Sequence, residues 1–482
     1  MTNVAMVYPS WYKETHNATL LYSPLALGYL ARHTPGHYKL NLYDEYVGED
    51  FDPDRVDADL VAFSPITSGI SRAYGMAGRL RERGITCVSG GAHVSALPDE
   101  ALEHFDAVII GEGEGPWKEF LQDFEREKIQ RTYFGRMDVS LENLGTPRRD
   151  LIHPSYKYPA LMTSRGCPYS CSFCYLTVYK HRKHRMIPHE TVLEDMDSLK
   201  QHPFLVVTDE NFIGYGESDI EDRKVLLERM IRREYKFLWG CQSTVSLYKE
   251  PELMTLMHRA GCRAVFLGFE SMQEDSLAEV NKRHNSGVDY NEVVRALHNH
   301  KLGVIASCIL GMDSHGKDYH QTLIKSLKES KADFPRVFLM TAWPGTRLFE
   351  DLQAEGRASR DWDRVRKDMP SVKYKHYTHE EIRKAREEVI HAFTSVVHIS
   401  QVVFRWMFKD RSTIKLFIRI AFRSMIIERT KRFRVQNPRS GQTDGQLFPR
   451  QQERSQNRSH SSATSSTHRP MPHAKQMEPT GE

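Results

Sequence analysis

The feature that most constrains the fold is an alternation of strand-like and helix-like segments between residues 159 and 350. Short apolar runs such as "FLVVTDENF" and "CRAVFLGFES" are separated by amphipathic stretches such as "DYNEVVRALHNHK". Alternation at this spacing favours parallel strands that are connected by helices. Six such units predict a partial (β/α)6 barrel, whose functional groups would lie at the carboxyl ends of its strands.

A second alternating series precedes this barrel. Within residues 1–130, five apolar runs, from "VAMVYP" to "DAVIIGEGE", alternate with helix-like stretches. The pattern predicts a doubly wound, Rossmann-like parallel sheet, a fold that binds ligands outside the carboxyl ends of its strands. Residues 131–158 are polar and contain prolines, and we interpret them as a linker.

The chain after the barrel is predicted to be helical over residues 351–435 and disordered over residues 436–482, where Ser, Gln, Arg, His and Pro dominate. Residues 402–435 mix aromatic, aliphatic and basic side chains at helical spacing. Such a helix can lie on an anionic membrane surface. Alternatively, it covers the open edge of the barrel while its arginines reach water.

Composition sets the broad class. The 482 residues suffice for about three domains, and 40% hydrophobic with 27% charged residues is ordinary for a soluble globular protein. A formal net charge of +4 gives no argument for a nucleic-acid partner. Seven cysteines, no signal-peptide pattern and no apolar run long enough to span a bilayer predict a cytoplasmic protein in a reducing compartment.

Three cysteines, Cys167, Cys171 and Cys174, lie in the stretch "MTSRGCPYSCSFCYL" directly after a predicted strand. A cubane iron–sulfur cluster usually takes four thiolates, so three thiolates leave one iron open to another ligand. A zinc site is the alternative, although the three-residue gap between the first two cysteines is uncommon for zinc. Its fourth ligand would come from a nearby histidine: His181, His184 or His189.

The spacing C-x-x-x-C-x-x-C, with an aromatic residue before the third cysteine, resembles the signature of the radical S-adenosylmethionine (SAM) enzymes. The resemblance implies that Cys167, Cys171 and Cys174 bind a catalytic [4Fe–4S] cluster and that Phe173 packs by the adenine of SAM. In that family the open iron binds SAM, and an electron from the cluster cleaves SAM to a 5′-deoxyadenosyl radical. The electron would come from a reducing partner such as flavodoxin or ferredoxin.

Polar residues at the ends of later barrel strands match the same family pattern more loosely. They lie in "TDENF", "GCQST" and "GFES". The resemblance implies that they contact the methionyl amine, the ribose or the carboxylate of SAM, whereas the alternative for each is a solvated residue at a strand end. The candidates are Asp209, Glu210, Gln242, Glu270 and Ser271.

Glycines at the strand ends of the first sheet resemble the cobalamin-binding domain of the cobalamin-dependent radical SAM enzymes. No G-x-G-x-x-G follows the first strand, which weakens a dinucleotide site. Instead, "SPITSG", "GG-x-H" and "GEGE" follow the third, fourth and fifth strands, and glycines let the backbone approach a wide corrin ring. The alternative is a scaffold without a cofactor. The implied cobalamin-binding residues are Ser64, Thr67, Gly90, Gly91, His93, Gly111, Glu112, Gly113 and Glu114.

Together, the resemblances imply a methyltransferase that moves a methyl group through methylcobalamin to an unactivated carbon, or to phosphorus, after hydrogen abstraction by the radical. The small-molecule substrate would be a natural product, a lipid or a tetrapyrrole. Among enzymes, the alternative is a non-methylating oxidative ring cyclase of the bacteriochlorophyll type. A cobalamin-binding sensor or regulator is a further alternative, although a sensor has no need of an open iron.

Overall fold

The computed structural model describes residues 1–10, 23–136, 140–178, 183–366, 369–410, 412–414 and 417–418 of the chain. Among the sequence-based predictions, the tail at residues 436–482 lies outside the described residues. So does most of the segment 402–435 after residue 410, together with the zinc-ligand candidate His181.

The first sheet has six parallel strands, one more than the sequence predicts. They are β1 (Thr2–Tyr8), β2 (Tyr38–Asp44), β3 (Leu60–Phe63), β4 (Thr86–Gly90), β5 (Ala107–Ile110) and β6 (Thr132–Phe134). Their order is β2-β1-β3-β4-β5-β6, so the chain direction across the sheet reverses at β1. In doubly wound sheets, a crevice opens at this reversal, outside the carboxyl ends of the strands. The predicted doubly wound sheet is confirmed.

Helices connect these strands and cover both faces of the sheet. Apolar residues on one side of each longer helix are buried, whereas charged residues on the other side reach water. The helices are α1 (Leu25–Arg32), α2 (Ile70–Glu82), α3 (Ala92–Ala96), α4 (Pro98–His104) and α5 (Glu114–Glu125).

Strand β6 lies within the segment that the sequence analysis interprets as a linker. It pairs in parallel with β5, with Thr132 opposite Val108. The middle residue of the strand, Tyr133, is buried against the edge of the Phe120 ring, with the ring centroids 5.5 Å apart. The strand is short and flanked by polar residues, so its alternation is hard to recognise in the sequence.

The second sheet also has six parallel strands, and a two-stranded hairpin accompanies it. The strands from residue 160 onward are β7 (Ala160–Leu161), β8 (Ser164–Arg165), β9 (Arg185–Met186), β10 (Phe204–Val207), β11 (Leu238–Ser243), β12 (Cys262–Glu270), β13 (Gly303–Leu310) and β14 (Arg336–Leu339). The sheet order is β7-β10-β11-β12-β13-β14, and β8 pairs with β9 in antiparallel fashion. Strands β7 and β14 lie at the two ends of the sheet and do not pair, so the sheet stays open, as expected for a partial barrel. The six predicted β/α units are confirmed.

Helices cover the outer side of this barrel and continue beyond it. Helices α6 (His189–Ser198), α7 (Glu217–Arg232), α8 (Pro251–Arg259), α9 (Glu274–Glu279), α10 (Tyr290–Asn299), α11 (Tyr319–Ser330) and α12 (Arg347–Ala354) belong to the barrel. The predicted helical region that follows contains α13 (His379–Thr394) and α14 (Val396–Met407). A capping box between Thr378 and Glu381 begins α13, and the Ser395 side chain caps α14, so two helices replace one continuous segment.

The apolar core runs without a break from the first sheet into the barrel. One cluster of buried side chains contains Val61 and Phe63 of the first sheet, Leu161 and Leu205 of the barrel, and Val389 of α13. A smaller cluster covers the opposite face of the first sheet and includes Met6 and Trp117. Burial of apolar surface is the main driving force for folding. The sheet and the barrel therefore stabilise each other.

Candidate functional site

A cavity of about 330 Å³ lies between the carboxyl edge of the first sheet and the mouth of the barrel. Apolar and aromatic side chains of α1 and α5, among them Leu30 and Trp117, form one wall. Cys167 and Glu210 belong to the barrel side. Most of the residues predicted to bind cobalamin line the cavity: Ser64, Gly90, Gly91, Gly111, Glu112, Gly113 and Glu114.

Glycine is required at the sheet edge because two stretches of backbone meet there. Gly111 has a φ of +89°, and a Cβ added to it would lie 2.5 Å from the carbonyl oxygen of Gly135. Gly135, directly after β6, is in turn too close to the carbonyl oxygen of Glu112 to carry a side chain. This edge therefore presents backbone and very little side-chain bulk to the cavity, and such a surface fits a broad, flat ligand like a corrin ring.

Two residues predicted for the same ligand lie elsewhere. Thr67 is buried in the turn before α2 and does not line the cavity. The side chain of His93 is fully buried, with its Nε2 3.5 Å from Glu100 Oε1 and its ring edge-on to Trp362 at a centroid distance of 5.0 Å. His93 thus joins the first sheet to the segment after the barrel, and its imidazole faces away from the cavity.

The three cysteines lie in one loop that begins at the end of β8. Gly166 precedes the first cysteine with a φ of +95°, and this turn sends the chain back toward the barrel. The N–H of Cys174 donates to the carbonyl oxygen of Cys171 at 3.1 Å, and the N–H of Ser172 donates to the carbonyl oxygen of Val280 at 3.0 Å. These bonds fix the loop against the barrel.

The chemistry of the thiols fits a site that binds a metal cluster. Burial raises the pKa of Cys171 and raises that of Cys174 to about 12, and the positive charge of Lys282 nearby offsets only part of this effect, so both are neutral thiols. Binding to iron would supply further positive charge and favour the thiolates. In the part of the chain that the structure describes, no three His, Cys, Asp or Glu side chains are arranged as ligands of a single metal ion.

The histidines considered as zinc ligands have other partners. His184 Nδ1 lies 2.9 Å from Asp219 Oδ2, and His189 Nε2 lies 3.1 Å from Asp222 Oδ2. Both carboxylates belong to α7, so these imidazoles attach the strand β9 region and the start of α6 to the neighbouring helix. The two contacts give no support to the zinc alternative.

The neighbouring acids at the end of the strand β10 have different positions. Asp209 is fully buried and accepts hydrogen bonds from the N–H of Thr163 at 2.6 Å, from Ser164 Oγ at 2.7 Å and from Arg223 Nη2 at 2.8 Å. It therefore supports the hairpin beneath the cysteine loop and does not line the cavity. Glu210 does line it, and burial raises the pKa of its carboxyl group.

Glu270, at the end of β12, forms a buried ion pair close to the cysteines. Its Oε1 lies 3.2 Å from Nζ of Lys282, and its backbone has a φ of +63°. Burial alone would lower the pKa of Lys282, but Glu270 and the thiols of Cys171 and Cys167 outweigh this effect, and the pKa is raised. A fixed ammonium group thus lies beside the cysteine loop, where it can attract an anionic group.

The sequence analysis missed Lys282, which lies in the polar stretch "VNKRHNSG". Lysines are usually exposed in such stretches, so only the tertiary structure identifies this one. Arg165 and Arg185, which line the cavity, were missed for the same reason.

The remaining predicted SAM-binding residues lie outside the cavity. Gln242 is half-buried on β11, and its backbone carbonyl accepts from the N–H of Phe212 at 2.9 Å. Ser271 is fully buried, with its Oγ 3.1 Å from His315 Nε2 and 2.9 Å from Tyr319 Oη. Phe173 is half-buried against the apolar core. Of the five polar strand-end candidates, only Glu210 lines the cavity, while Glu270 lies beside the cysteine loop.

Residues 161–327 match the family model of the Radical SAM superfamily. The matched stretch contains the cysteine loop and most of the barrel. The chain therefore carries a radical SAM domain.

Two relatives from Chlorobaculum tepidum extend the similarity beyond this domain. Bacteriochlorophyllide d C-8(2)-methyltransferase is 24% identical over 431 residues, which cover 85% of this chain and 93% of that protein. Bacteriochlorophyllide d C-12(1)-methyltransferase is 29% identical over 353 residues, which cover 71% of this chain and 76% of that protein. The first of these alignments is long enough to include part of the first sheet as well as the barrel.

A solved structure has the same architecture. The cobalamin-dependent S-adenosylmethionine radical enzyme OxsB, with aqua-cobalamin and S-adenosylmethionine bound, superposes with a TM-score of 0.66 at 15% identity, covering 88% of this chain and 71% of that one. At this identity the likeness shows the fold alone. It confirms the predicted fold class, a doubly wound sheet followed by a partial barrel.

Proposed function

We propose that the protein is a cobalamin-dependent radical SAM methyltransferase that transfers a methyl group to an unactivated carbon of a small molecule. The observation that carries the proposal is the single cavity that the glycine edge of the first sheet and the cysteine loop border together. A radical SAM domain without cobalamin has no need of that glycine edge. The relatives named as methyltransferases and the fold shared with OxsB support the same assignment.

The residues around the cavity have distinct roles in this proposal. When bound, the [4Fe–4S] cluster and SAM supply the 5′-deoxyadenosyl radical, and cobalamin supplies the methyl group. Cys167, Cys171 and Cys174 hold the cluster. Lys282 and Glu270 orient the charged end of SAM, because they form a fixed charge pair beside the cysteine loop. The apolar wall of α1 and α5 excludes water from the cavity, which strengthens the electrostatic interactions inside it.

We assign the substrate to the tetrapyrroles, because the two relatives from Chlorobaculum tepidum are named as methyltransferases of bacteriochlorophyllide d. The cavity wall adds aromatic surface from Tyr29, Trp117 and Tyr175. Flat conjugated rings pack well against such side chains. A one-electron donor, such as flavodoxin or ferredoxin, completes the set of partners.

The test begins with anaerobic reconstitution using iron, sulfide and hydroxocobalamin. We expect about four irons and one corrinoid per chain, measured by metal analysis and absorbance. The holoenzyme is then incubated with a reductant, bacteriochlorophyllide d and SAM that carries a deuterated methyl group. A product with a labelled methyl group supports the proposal.

Other outcomes point to the alternatives. Deoxyadenosine together with a product that has lost hydrogen and gained no label would favour the oxidative ring cyclase. One bound corrinoid without deoxyadenosine would favour the sensor. Less than one corrinoid per chain after reconstitution would contradict the cobalamin assignment altogether.

We also propose that the C-terminal region touches a membrane surface. Helix α14 exposes Val397 and Phe404 to 68% and 65%, and Phe408 directly after it is 78% exposed. Basic residues are frequent in the sequence that follows. Apolar side chains next to basic ones are typical of interfacial helices. Within the described residues, no helix is both long and apolar enough to cross a bilayer.

Vesicle co-sedimentation tests this contact. We expect the full chain to pellet with vesicles that contain phosphatidylglycerol and not with vesicles of phosphatidylcholine alone. The variant with Phe404→Ser and Phe408→Ser should lose most of this binding, because it removes exposed apolar surface and leaves the buried Trp406 in place. Equal sedimentation of the variant and the wild type would contradict the proposal.

A further inference from the structure

Two arginines lie side by side on the hairpin that leads into the cysteine loop. Strands β8 and β9 pair so that Arg165 and Arg185 stand directly opposite each other. Like charges at opposite positions of an antiparallel pair repel each other. The hairpin therefore needs two negative groups at this point in order to be stable.

The two glutamates of "GEGE" supply those groups from the first sheet. Arg165 Nη2 donates to Glu114 Oε1 at 2.6 Å, and Arg165 Nη1 donates to Glu114 Oε2 at 3.2 Å. Arg185 Nη2 donates to Glu112 Oε1 at 2.5 Å, and Arg185 Nη1 donates to Glu112 Oε2 at 3.1 Å. Both contacts are bidentate, a geometry that fixes orientation as well as distance. We call these four residues the ion-pair ladder.

The ladder is shielded from solvent and rigid at both ends. The side chains of Arg165, Glu114, Arg185 and Glu112 are 13%, 17%, 8% and 12% exposed. The guanidinium of Arg165 also lies 5.4 Å from the centroid of the Tyr29 ring. On the sheet side, the N–H of Gly135 donates to the carbonyl oxygen of Ile110 at 2.7 Å, and this bond attaches the loop to the end of β6.

The ladder ends two residues before a predicted cluster ligand. Only Gly166 separates Arg165 from Cys167, and its N–H donates to Glu210 Oε2 at 3.2 Å. A movement of Arg165 therefore moves the first cysteine. All four residues of the ladder line the cavity. The ladder therefore connects the glycine edge of the first sheet directly to the hairpin that carries the cysteine loop.

We propose that Glu112 and Glu114 are positioning residues, which hold the hairpin before Cys167 at a fixed distance from the glycine edge of the first sheet. They act through the two arginines and set the alignment of the two halves of the cavity. The inference rests on the proposed function, because alignment matters only if reacting groups bind on both sides. It assigns the "GEGE" carboxylates to the protein's own hairpin, whereas the resemblance assigns them to cobalamin.

The test compares Glu114→Gln with a matched control, Asp195→Asn. Asp195 forms a bidentate pair with Arg149, at 2.8 and 2.7 Å, with side-chain exposures of 4% and 15%, and it does not line the cavity. Either substitution removes the bidentate carboxylate of one largely buried arginine. Arg165 then keeps only its longer contact, from Nη1 to Glu112 Oε2 at 3.6 Å, so we expect both substitutions to destabilise the fold.

The first measurement uses the reconstituted holoenzymes with SAM and a reductant. Methyl transfer to bound cobalamin yields S-adenosylhomocysteine, and radical formation yields 5′-deoxyadenosine. In Glu114→Gln we expect the ratio of the first product to the second to fall at least about tenfold, since small misplacements of reacting groups cost this much or more. Asp195→Asn should keep the ratio of the wild type. A loss of folded protein lowers both products together and leaves the ratio unchanged.

The second measurement uses the protein without cofactors. Hydrogen–deuterium exchange of the peptide that covers residues 164–178 should be faster in Glu114→Gln than in the wild type and unchanged in Asp195→Asn. The double variant Glu114→Gln with Arg165→Met should regain stability, because no unpaired charge is left buried. Its product ratio should stay low, since the connection is still missing.

The outcomes separate the two proposals. Unchanged exchange at residues 164–178 in Glu114→Gln would show that the ladder does not hold the hairpin. An unchanged product ratio, with both products formed by the wild type, would overturn the positioning role and leave the proposed function standing. A wild-type holoenzyme that forms neither product would overturn the proposed function, and the catalytic part of this inference with it.

Discussion

The two sheets of this protein face the same cavity with opposite chemistry at their strand ends. The first sheet presents backbone, because glycines occupy the positions where side chains would project. The barrel presents the thiol of Cys167 and the carboxylate of Glu210, which accepts from the N–H of Gly166, and the ion pair of Glu270 and Lys282 lies beside the cysteine loop. A glycine edge suits a large ligand that is recognised by its shape. An edge of charged and thiol side chains suits ligands that are bound through a few specific atoms.

The largest effect is expected on the barrel side. Cys171→Ala should abolish formation of 5′-deoxyadenosine, because a cluster with one ligand missing loses either its iron or its open site. Cobalamin should still bind, since the glycine edge of the first sheet is untouched. Iron content, corrinoid content and deoxyadenosine are measured on the same reconstituted sample. Deoxyadenosine at the wild-type level would contradict the assignment of the cluster.

The opposite pattern, loss of cobalamin while the cluster is retained, is expected for a substitution in the first sheet. Gly111→Val places a branched side chain at a φ of +89° and against the carbonyl oxygen of Gly135, a strain of about 1–3 kcal/mol. Corrinoid content should fall sharply, whereas the cluster should still assemble. The matched control is Gly78→Ala in α2, where a Cβ meets nothing within 4 Å. That variant should bind cobalamin normally and gain about 0.5–1 kcal/mol in unfolding free energy. Normal cobalamin binding by Gly111→Val would contradict the role of the glycine edge.

The pH dependence of stability should distinguish two carboxylates of the first sheet, Asp44 at the end of β2 and Glu114 after β5. Asp44, at the end of β2, is buried, and burial raises its pKa from 3.8 to about 6. The folded protein thus binds this proton more tightly than the unfolded chain. Stability should decrease as the pH rises from about 4 to about 6, by up to about 3 kcal/mol.

Asp44→Asn should remove this decrease. The unfolding free energy of the variant should therefore rise relative to that of the wild type between pH 4 and pH 7. Urea denaturation of the protein without cofactors measures the difference. At the start of α5, after β5 of the same sheet, burial alone would raise the pKa of Glu114, but Arg165 outweighs burial and lowers it. The contribution of Glu114 is therefore present at neutral pH and lost on acidification. A variant that follows the pH dependence of the wild type would contradict the buried proton at Asp44.

The smallest effect concerns His93. Because its ring faces Trp362 and Glu100, His93→Gln should leave the corrinoid content unchanged. Unfolding free energy should fall by about 1 kcal/mol, the typical value of one lost hydrogen bond. Absorbance after reconstitution and thermal denaturation check the two effects. A loss of bound cobalamin would show that the histidine of "GG-x-H" does act on the ligand.

The sequence predicts the strands of both sheets well, because each long strand is a continuous apolar run with a turn at its end. The pairings of the shorter strands are not predicted from the sequence. Strand β6 has three residues, and β8 and β9 have two each, too few for a recognisable period. Both determine the geometry of the cavity, since β6 fixes the "GEGE" loop and the hairpin carries the cysteines. The missed elements are thus the ones that join distant parts of the chain.

The candidate site residues also differ in whether a local sequence pattern indicates them. The three cysteines are recognisable because the chemistry depends on their spacing in one loop. Asp209 and Glu210 are equivalent in the sequence, yet one is buried with Arg223 and the other lines the cavity. Adjacent residues at a strand end point in opposite directions, and the direction depends on where the strand stops. The partners of Glu112 and Glu114 lie about seventy and about fifty residues away, respectively, so no local pattern indicates them.

The shared apolar core has a consequence for the synthesis of the protein. The ribosome releases the first sheet well before the barrel, at about 5–20 residues per second. Until Leu161 and Leu205 follow, the side chains around Val61 and Phe63 lack the larger part of their apolar cluster, which the barrel and the helices after it contribute. The nascent sheet is therefore a natural client for chaperones that shield apolar surface. Genes that carry residues 1–130 alone should yield an aggregation-prone product, and attempts to load cobalamin are better made on the whole chain.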